Sequence, residues 1–154
     1  MIYVDADACP VKSEVEAVAT RANVRVRMVS NGGIRPSQNP LIESVYVDDG
    51  PDAADIWIAE HSGTGDVVVT NDIPLAARAV ETGALVIKPN GEVLTAANVS
   101  EALAMRDLMT DLRSADPFRQ GGSKPFSKAD RARFRDGLDQ VLRRAARLAE
   151  AAKD

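Results

Sequence analysis

Ile2-Tyr3-Val4-Asp5-Ala6-Asp7-Ala8-Cys9-Pro10-Val11-Lys12 decides the fold. A short β-branched run, two aspartates and then a proline read as a strand that ends on an acidic turn and feeds a helix. Beyond Pro10, Val11, Val15, Val18, Ala19 and Ala22 recur at the spacing of one helix face. The same grammar continues. Val24–Val29, Ser44–Val47, Val67–Thr70 and Ala84–Ile87 are short apolar runs bounded by Gly, Asn, Asp or Pro. Asp52 is placed to cap a helix running through Ala53 to Glu60, with Gly63 ending it, and Pro74 opens another that Gly83 closes. Strands alternating with helices predict a central, mostly parallel sheet of about five strands with helices on both faces, an α/β fold. Only Asn31–Pro40, a Gly/Pro/Asn stretch, joins two strands without a helical pattern.

The rest of the chain is helical. Asn98 and Glu101 form a plausible cap pair ahead of Ala102, Met105, Leu108, Met109 and Leu112. After a Gly/Pro/Ser-rich stretch, Ser127-Lys128-Ala129-Asp130 reads as a capping box variant. Phe134, Leu138, Val141, Leu142, Ala145 and Leu148 then form a stripe that must pack on the chain's own sheet or on a second subunit, which leaves a homodimer through this helix open. We therefore expect one domain over 1–154, with 114–154 a basic loop and C-terminal helix packed on it.

Composition excludes several classes. The 154 residues are 45% hydrophobic and 27% charged, which suits a folded domain and not a disordered chain. Cys9 is the sole cysteine, so neither an intrachain disulfide nor a cysteine-based zinc site can form. No run of about 18 apolar residues occurs and the opening residues lack a signal-peptide pattern, so a cytoplasmic protein with no membrane partner is expected. Charge is uneven: residues 1–93 carry −7, residues 94–154 carry +3, and Arg113 to Arg147 alone carries +6. That basic segment is either a solvated helix face or an arm for a polyanion.

The strand ends carry the chemistry. In open parallel sheets, ligands bind beyond the carboxyl ends of the strands. There the sequence places Asp5-Ala6-Asp7, then Asp48-Asp49-Gly50-Pro51-Asp52 with Asp55 one turn on, then Thr70-Asn71-Asp72. Carboxylates aimed at one volume repel each other, and a hard divalent cation with oxygen ligands offsets that repulsion. Mg²⁺ or Mn²⁺ held by Asp5, Asp7, Asp52, Asp55 and Asp72 is the functional reading. The plainer one is that each Asp caps a helix or turns a loop, which weighs most for Asp52 and Asp49. Lys12 lies in the first turn of its helix, where it can reach a phosphate or pair with Glu16. Cys9 at a helix start has the place of an activated thiol, but a small packed residue is the simpler account. His61 sits at a helix end and Trp57 reads as core.

Four motifs carry a resemblance. Val4-Asp5-Ala6-Asp7-Ala8-Cys9-Pro10-Val11-Lys12, Gly50-Pro51-Asp52-Ala53-Ala54-Asp55, Val68-Val69-Thr70-Asn71-Asp72-Ile73-Pro74-Leu75-Ala76 and Gly121-Gly122-Ser123-Lys124-Pro125-Phe126-Ser127, with Asp130-Arg131 and Phe134 beyond, resemble the bacterial YaiI/YqxD family in order and spacing over about residues 2–142. Asn71 departs from the Gln expected in many members. The resemblance implies a PIN-like α/β/α sandwich and a Mg²⁺ or Mn²⁺ site built from acidic residues. Carried over by position, the first-strand acid is Asp5, the mid-chain acid is Asp52 or Asp55 and the strand-four acid is Asp72, with Asp5, Asp55 and Asp72 taken as catalytic and Asp7 beside them.

The expectation is a nuclease hydrolysing RNA or DNA, RNA being placed first. Lys12, Thr70, Asn71, Arg119, Lys124, Lys128 and Arg131 are its substrate-binding candidates, and Arg135 flanks them. An inactive PIN-like nucleic-acid-binding or regulatory protein is the non-enzyme alternative. A haloacid-dehalogenase-type phosphatase is the enzyme alternative, since Asp5-Ala6-Asp7 and Thr70 fit its first two motifs. It then needs a lysine and a late acidic motif, and no Gly-Asp-x-x-x-Asp pattern follows Lys88.

Overall fold

The computed structural model describes residues 1–48, 50, 52–115 and 126–153. Six strands form one sheet: β1 Ile2–Asp5, β2 Val26–Ser30, β3 Ile42–Tyr46, β4 Val67–Val69, β5 Leu85–Ile87 and β6 Val93–Leu94. Their spatial order is β3-β2-β1-β4-β5-β6. The first five are parallel and β6 returns antiparallel to β5. The sheet has one strand beyond the about five expected. The two residues of β6, reached through a turn at Gly91, are too short to leave an alternating pattern.

Five helices cover the sheet: α1 Lys12–Ala22, α2 Ala53–His61, α3 Ile73–Glu81, α4 Val99–Ala115 and α5 Lys128–Ala152. The period of two along each strand sorts them into layers. Ile2, Val4, Val26, Met28, Val67, Val69, Leu85 and Ile87 join one core with α1 and α5. Tyr3, Val29, Val68 and Val86 join the other with α2, α3 and the start of α4. The result is an α/β/α sandwich. No described helix is long and apolar enough to cross a membrane.

The α5 stripe settles on its own sheet. Phe134 and Leu138 are fully buried, with Val141 and Ala145 nearly so, in the core that holds β1 and β4. Leu148 stays partly exposed. Close approach requires glycine where α5 meets the β5–β6 turn. A Cβ on Gly137 would come within 3.0 Å of Ile87 Cδ1, and one on Gly91, whose φ is +92°, within 3.0 Å of the Arg133 backbone. The capping box is present: the Asp130 N–H donates to Ser127 Oγ and the Ser127 N–H donates back to Asp130.

Two expected caps do not form. Asp52 stands at the start of α2, but its side chain makes no capping hydrogen bond. The Asn98 side chain braces the turn before α4 instead, accepting from the Thr95 N–H at 2.7 Å and donating to the Val93 carbonyl at 3.0 Å.

Candidate metal and phosphate site

The strand order reverses between β1 and β4, because the chain leaves β1 toward β2 on one side and β4 toward β5 on the other. Such a switch point opens a crevice at the carboxyl edge of the sheet. β1 and β4 pair as Ile2↔Val67, Tyr3↔Val68 and Val4↔Val69, so the next step sets Asp5 opposite Thr70. Continuing the alternation past Tyr3 and Val68 turns both side chains to the α2–α3 face. The Thr70 hydroxyl donates to Asp5 Oδ2 at 3.1 Å and accepts from the Asp72 N–H at 2.9 Å. Asp72 caps α3, its Oδ1 accepting from the Leu75 N–H at 3.0 Å. Asp55, in the first turn of α2, meets it there. The two helix N-termini therefore face the same acidic group, and their dipoles favour negative charge at that point.

Electrostatics confirm the crowding. Burial, the neighbouring Asp72 charge and a hydrogen bond with Asp72 push Asp55 up to about 7, with Asp5 and Asp52 adding to the effect. Burial also raises Asp5, and the charges of Asp72 and Asp7 add to the rise, while the Thr70 hydrogen bond opposes it. Asp5, Asp55 and Asp72 thus sense one another at the switch point. They do not form a closed cage: among the described residues no three acidic, histidine or cysteine side chains converge as a ready metal-binding group. A proton on Asp55 relieves the repulsion.

A cavity of about 280 Å³ opens beside the cluster, lined by Asp5, Cys9, Val69, Thr70, Asn71, Asp72 and Pro89. The groove between α1 and α5 is larger, about 430 Å³. Its charged groups are already joined to each other, Asp139 pairing with Arg21 and Arg143, so size alone does not choose the site.

The other residues singled out from the sequence fall into three groups. Asn71 is exposed at the cavity lip, and Asp52 is exposed within electrostatic reach of Asp55. Asp7 turns away from the cluster: both its oxygens accept from the Asn31 N–H, at 3.3 and 3.1 Å. Lys12 and Lys128 begin α1 and α5 with no ion pair among the described residues. Arg131 is held within the fold, donating to the Pro10 carbonyl at 2.8 Å and to Glu14 at 3.1 Å, and lying over the Phe126 ring. Arg119, Lys124 and Asp49 lie outside the described residues. Arg135 is exposed on α5.

Cys9 is partly buried, and its thiol is raised chiefly by that burial, which fits a packed residue and not a nucleophile. His61 stacks on Trp57 at 3.8 Å, and Trp57 in turn contacts Tyr3 and the Arg27 guanidinium. Sequence reasoning missed Asn31. Its side chain donates to the carbonyls of Asp48 and Gly50 and so ties the end of β2 to the turn before α2. The signal was the Asn-Gly-Gly run directly after β2.

The raised Asp55 predicts a pH-dependent stability. A carboxyl whose pKa is higher in the folded chain binds more protons there than in the unfolded chain, so stability falls as pH rises from about 4 toward 7. Asp55→Asn removes that loss. Because Asp55 is only partly buried, solvent screening leaves a gain of about 1 kcal/mol at pH 8, shrinking toward zero at pH 4. Thermal unfolding of both chains in EDTA measures it, and an equal gain at both pH values would contradict the crowding.

A doubly wound α/β/α protein with an acidic cluster at its switch point is the class these features define. The chain belongs to the YaiI/YqxD family: residues 3–144 match the family described as "Uncharacterized BCR, YaiI/YqxD family". It is 69% identical over 147 residues to a UPF0178 protein of Roseobacter denitrificans, covering 96% of this chain and 97% of that one. It is also 63% identical over 150 residues to a UPF0178 protein of Ruegeria pomeroyi, covering 97% of each. A UPF0178 protein of Mesorhizobium japonicum is 54% identical over 148 residues, covering 96% of this chain and 95% of that one. No solved structure matches the chain.

Proposed function

We propose that this protein is a metal-dependent nuclease of PIN-like type that hydrolyses phosphodiester bonds, with RNA the first substrate class to test and DNA the second. One observation carries the reading: Asp5, Asp55 and Asp72, from separate connections of the sheet, lie within electrostatic reach of one another beside a cavity that Asp5 and Asp72 line, and burial together with the Asp72 charge pushes Asp55 up to about 7. An all-oxygen donor set of this kind suits Mg²⁺ or Mn²⁺, which would replace the proton on Asp55. Asp5, Asp55 and Asp72 would hold the ion, with Asp52 and Asp7 outside them. When bound, it would supply Lewis-acid stabilisation of phosphoryl charge and activation of water.

The chain's own groups do the positioning. Thr70 fixes the Asp5 carboxylate and the Asp72 backbone in one hydrogen-bonded step. The Leu75 N–H fixes one Asp72 oxygen and leaves the other for the site. Asn71 presents an amide at the lip, and Lys12 and Lys128 offer charge to the phosphate backbone. The phosphatase alternative is disfavoured, because Asp7 is turned to Asn31 and Lys88 pairs with Glu92 at 3.3 Å.

The test is a cleavage panel of single- and double-stranded RNA and DNA with Mg²⁺, Mn²⁺ or EDTA, run beside thermal shift with the same ions. Metal-dependent cleavage is expected, with Tm raised by Mn²⁺ in the wild type and not in Asp55→Asn. A Tm rise without cleavage would leave a nucleic-acid-binding or regulatory module. No response to metal and no cleavage would end the proposal.

A further inference from the structure

The loop from Asn31 to Pro40 is pinned along its whole length. At its start the Asn31 N–H is held by Asp7 and the Gly32 N–H by Ser30 Oγ. Ile34 packs into the α1–α5 core. Farther on, the Ser37 hydroxyl donates to Glu16 at 3.0 Å and the Asn39 amide donates to Thr20 Oγ1 at 2.8 Å, both on α1. The loop therefore runs down α1 from its N-terminal end.

This fixes the place of Arg35. Lys12, Glu16 and Thr20 are four apart and share one stripe of α1. Glu14 and Arg21 lie on the opposite flank, facing Arg131 and Asp139 of α5. Arg35 precedes Ser37 by two residues, roughly 6.6 Å of extended chain, while Lys12 precedes Glu16 by one helical turn, about 5.4 Å. Pro36 favours that extended form at Arg35. Arg35 and Lys12 therefore stand side by side at the carboxyl rim of the sheet, on the face opposite α2 and α3. Arg35 is exposed and, like Lys12, has no ion-pair partner among the described residues. The nearby carboxylates Asp7 and Glu16 are engaged by Asn31 and Ser37.

The backbone adds donors. Gly32 and Gly33 have φ of +117° and +79°, and a Cβ on either would meet nothing within 4 Å, so the chain here faces open space. Among the described residues the N–H groups of Gly33, Ile34 and Arg35 have no acceptor within the chain. Free N–H groups on an exposed stretch beside two cations offer donors to the oxygens of a phosphate backbone.

We propose that Gly33–Arg35 and Lys12 form a backbone-phosphate site for the nucleic-acid strand, at the same carboxyl rim as the acidic cluster but on the other face of the sheet, holding the strand without reading its bases. This rests on the nuclease reading and adds a binding element to it. The probe is a fluorescein-labelled 15-nucleotide oligouridylate, titrated by anisotropy in EDTA from 25 to 200 mM NaCl. Arg35→Gln is expected to weaken binding roughly 3- to 10-fold and to make the log–log salt slope shallower by about 0.7, the loss of one phosphate contact on a single strand. Arg35→Lys, which keeps the charge, should restore the slope. Arg78→Gln, at the far end of α3, is the control and should match wild type. If wild type binds while Arg35→Gln keeps the full slope, or Arg78→Gln loses as much, this site is overturned and the nuclease reading stands. If wild type neither binds the oligonucleotide nor cleaves the panel, both fall together.

Discussion

Asp72→Asn is expected to lower metal-dependent phosphodiester cleavage by at least about a hundredfold with the fold intact, by analogy with loss of one pre-organised charge-stabilising group. The geometry makes this substitution unusually clean. Asp72 has two tasks: it caps α3 through the Leu75 N–H, and it joins Asp55 in the acidic cluster. Asn caps a helix as well as Asp does, so α3 should start where it did. Only the charge is removed. Asp72→Ala is the informative contrast, since it removes the cap too and should cost a further ~1 kcal/mol of stability. Unfolding curves and initial rates on the best substrate of the panel separate the two effects. Near-normal cleavage by a folded Asp72→Asn chain would sink the mechanism.

Phe134→Ala is expected to destabilise the protein by about 3–5 kcal/mol. Phe134 is fully buried and lies in the same core as the β1 and β4 residues that lead to the site. For a chain of this size that corresponds to a fall in Tm of roughly 6–20 °C. The wild-type Tm should also be independent of protein concentration if the stripe serves only its own sheet, because a stripe used as a subunit seam would make Tm rise with concentration. A loss below about 1 kcal/mol would mean that α5 does not depend on this anchor.

The acidic cluster was legible in the sequence because each aspartate follows a strand. Strands announce themselves by β-branched runs and helix starts by Pro and Asp, so the sequence assigns Asp5, Asp7, Asp52, Asp55 and Asp72 to one rim. Asp7 shows the limit. Two residues from Asp5, it has the same local pattern, yet its carboxylate is taken by the Asn31 N–H across a distance of 24 residues. Asp52 shows another: a side chain placed to cap α2 makes no capping bond. The sequence reading also ranked Arg131 with the substrate cations, whereas its guanidinium ties α5 to Pro10 and Glu14 of the first βα unit. Arg35, which no motif marked, is exposed and has no ion-pair partner among the described residues.

The sequence by itself determined the α/β class, the parallel strands, the helix starts and the residues at the strand ends, because these depend on periodicity and on backbone preferences acting over a few neighbours. Tertiary structure alone decided the strand order, and with it that β1 and β4 lie side by side so that Asp5 meets Thr70 and Asp72. It decided that the α5 stripe closes its own core, and which carboxylates crowd one another and which are drawn into loop hydrogen bonds. Those outcomes depend on contacts between segments far apart in the chain, where burial and charge are set by what arrives from elsewhere.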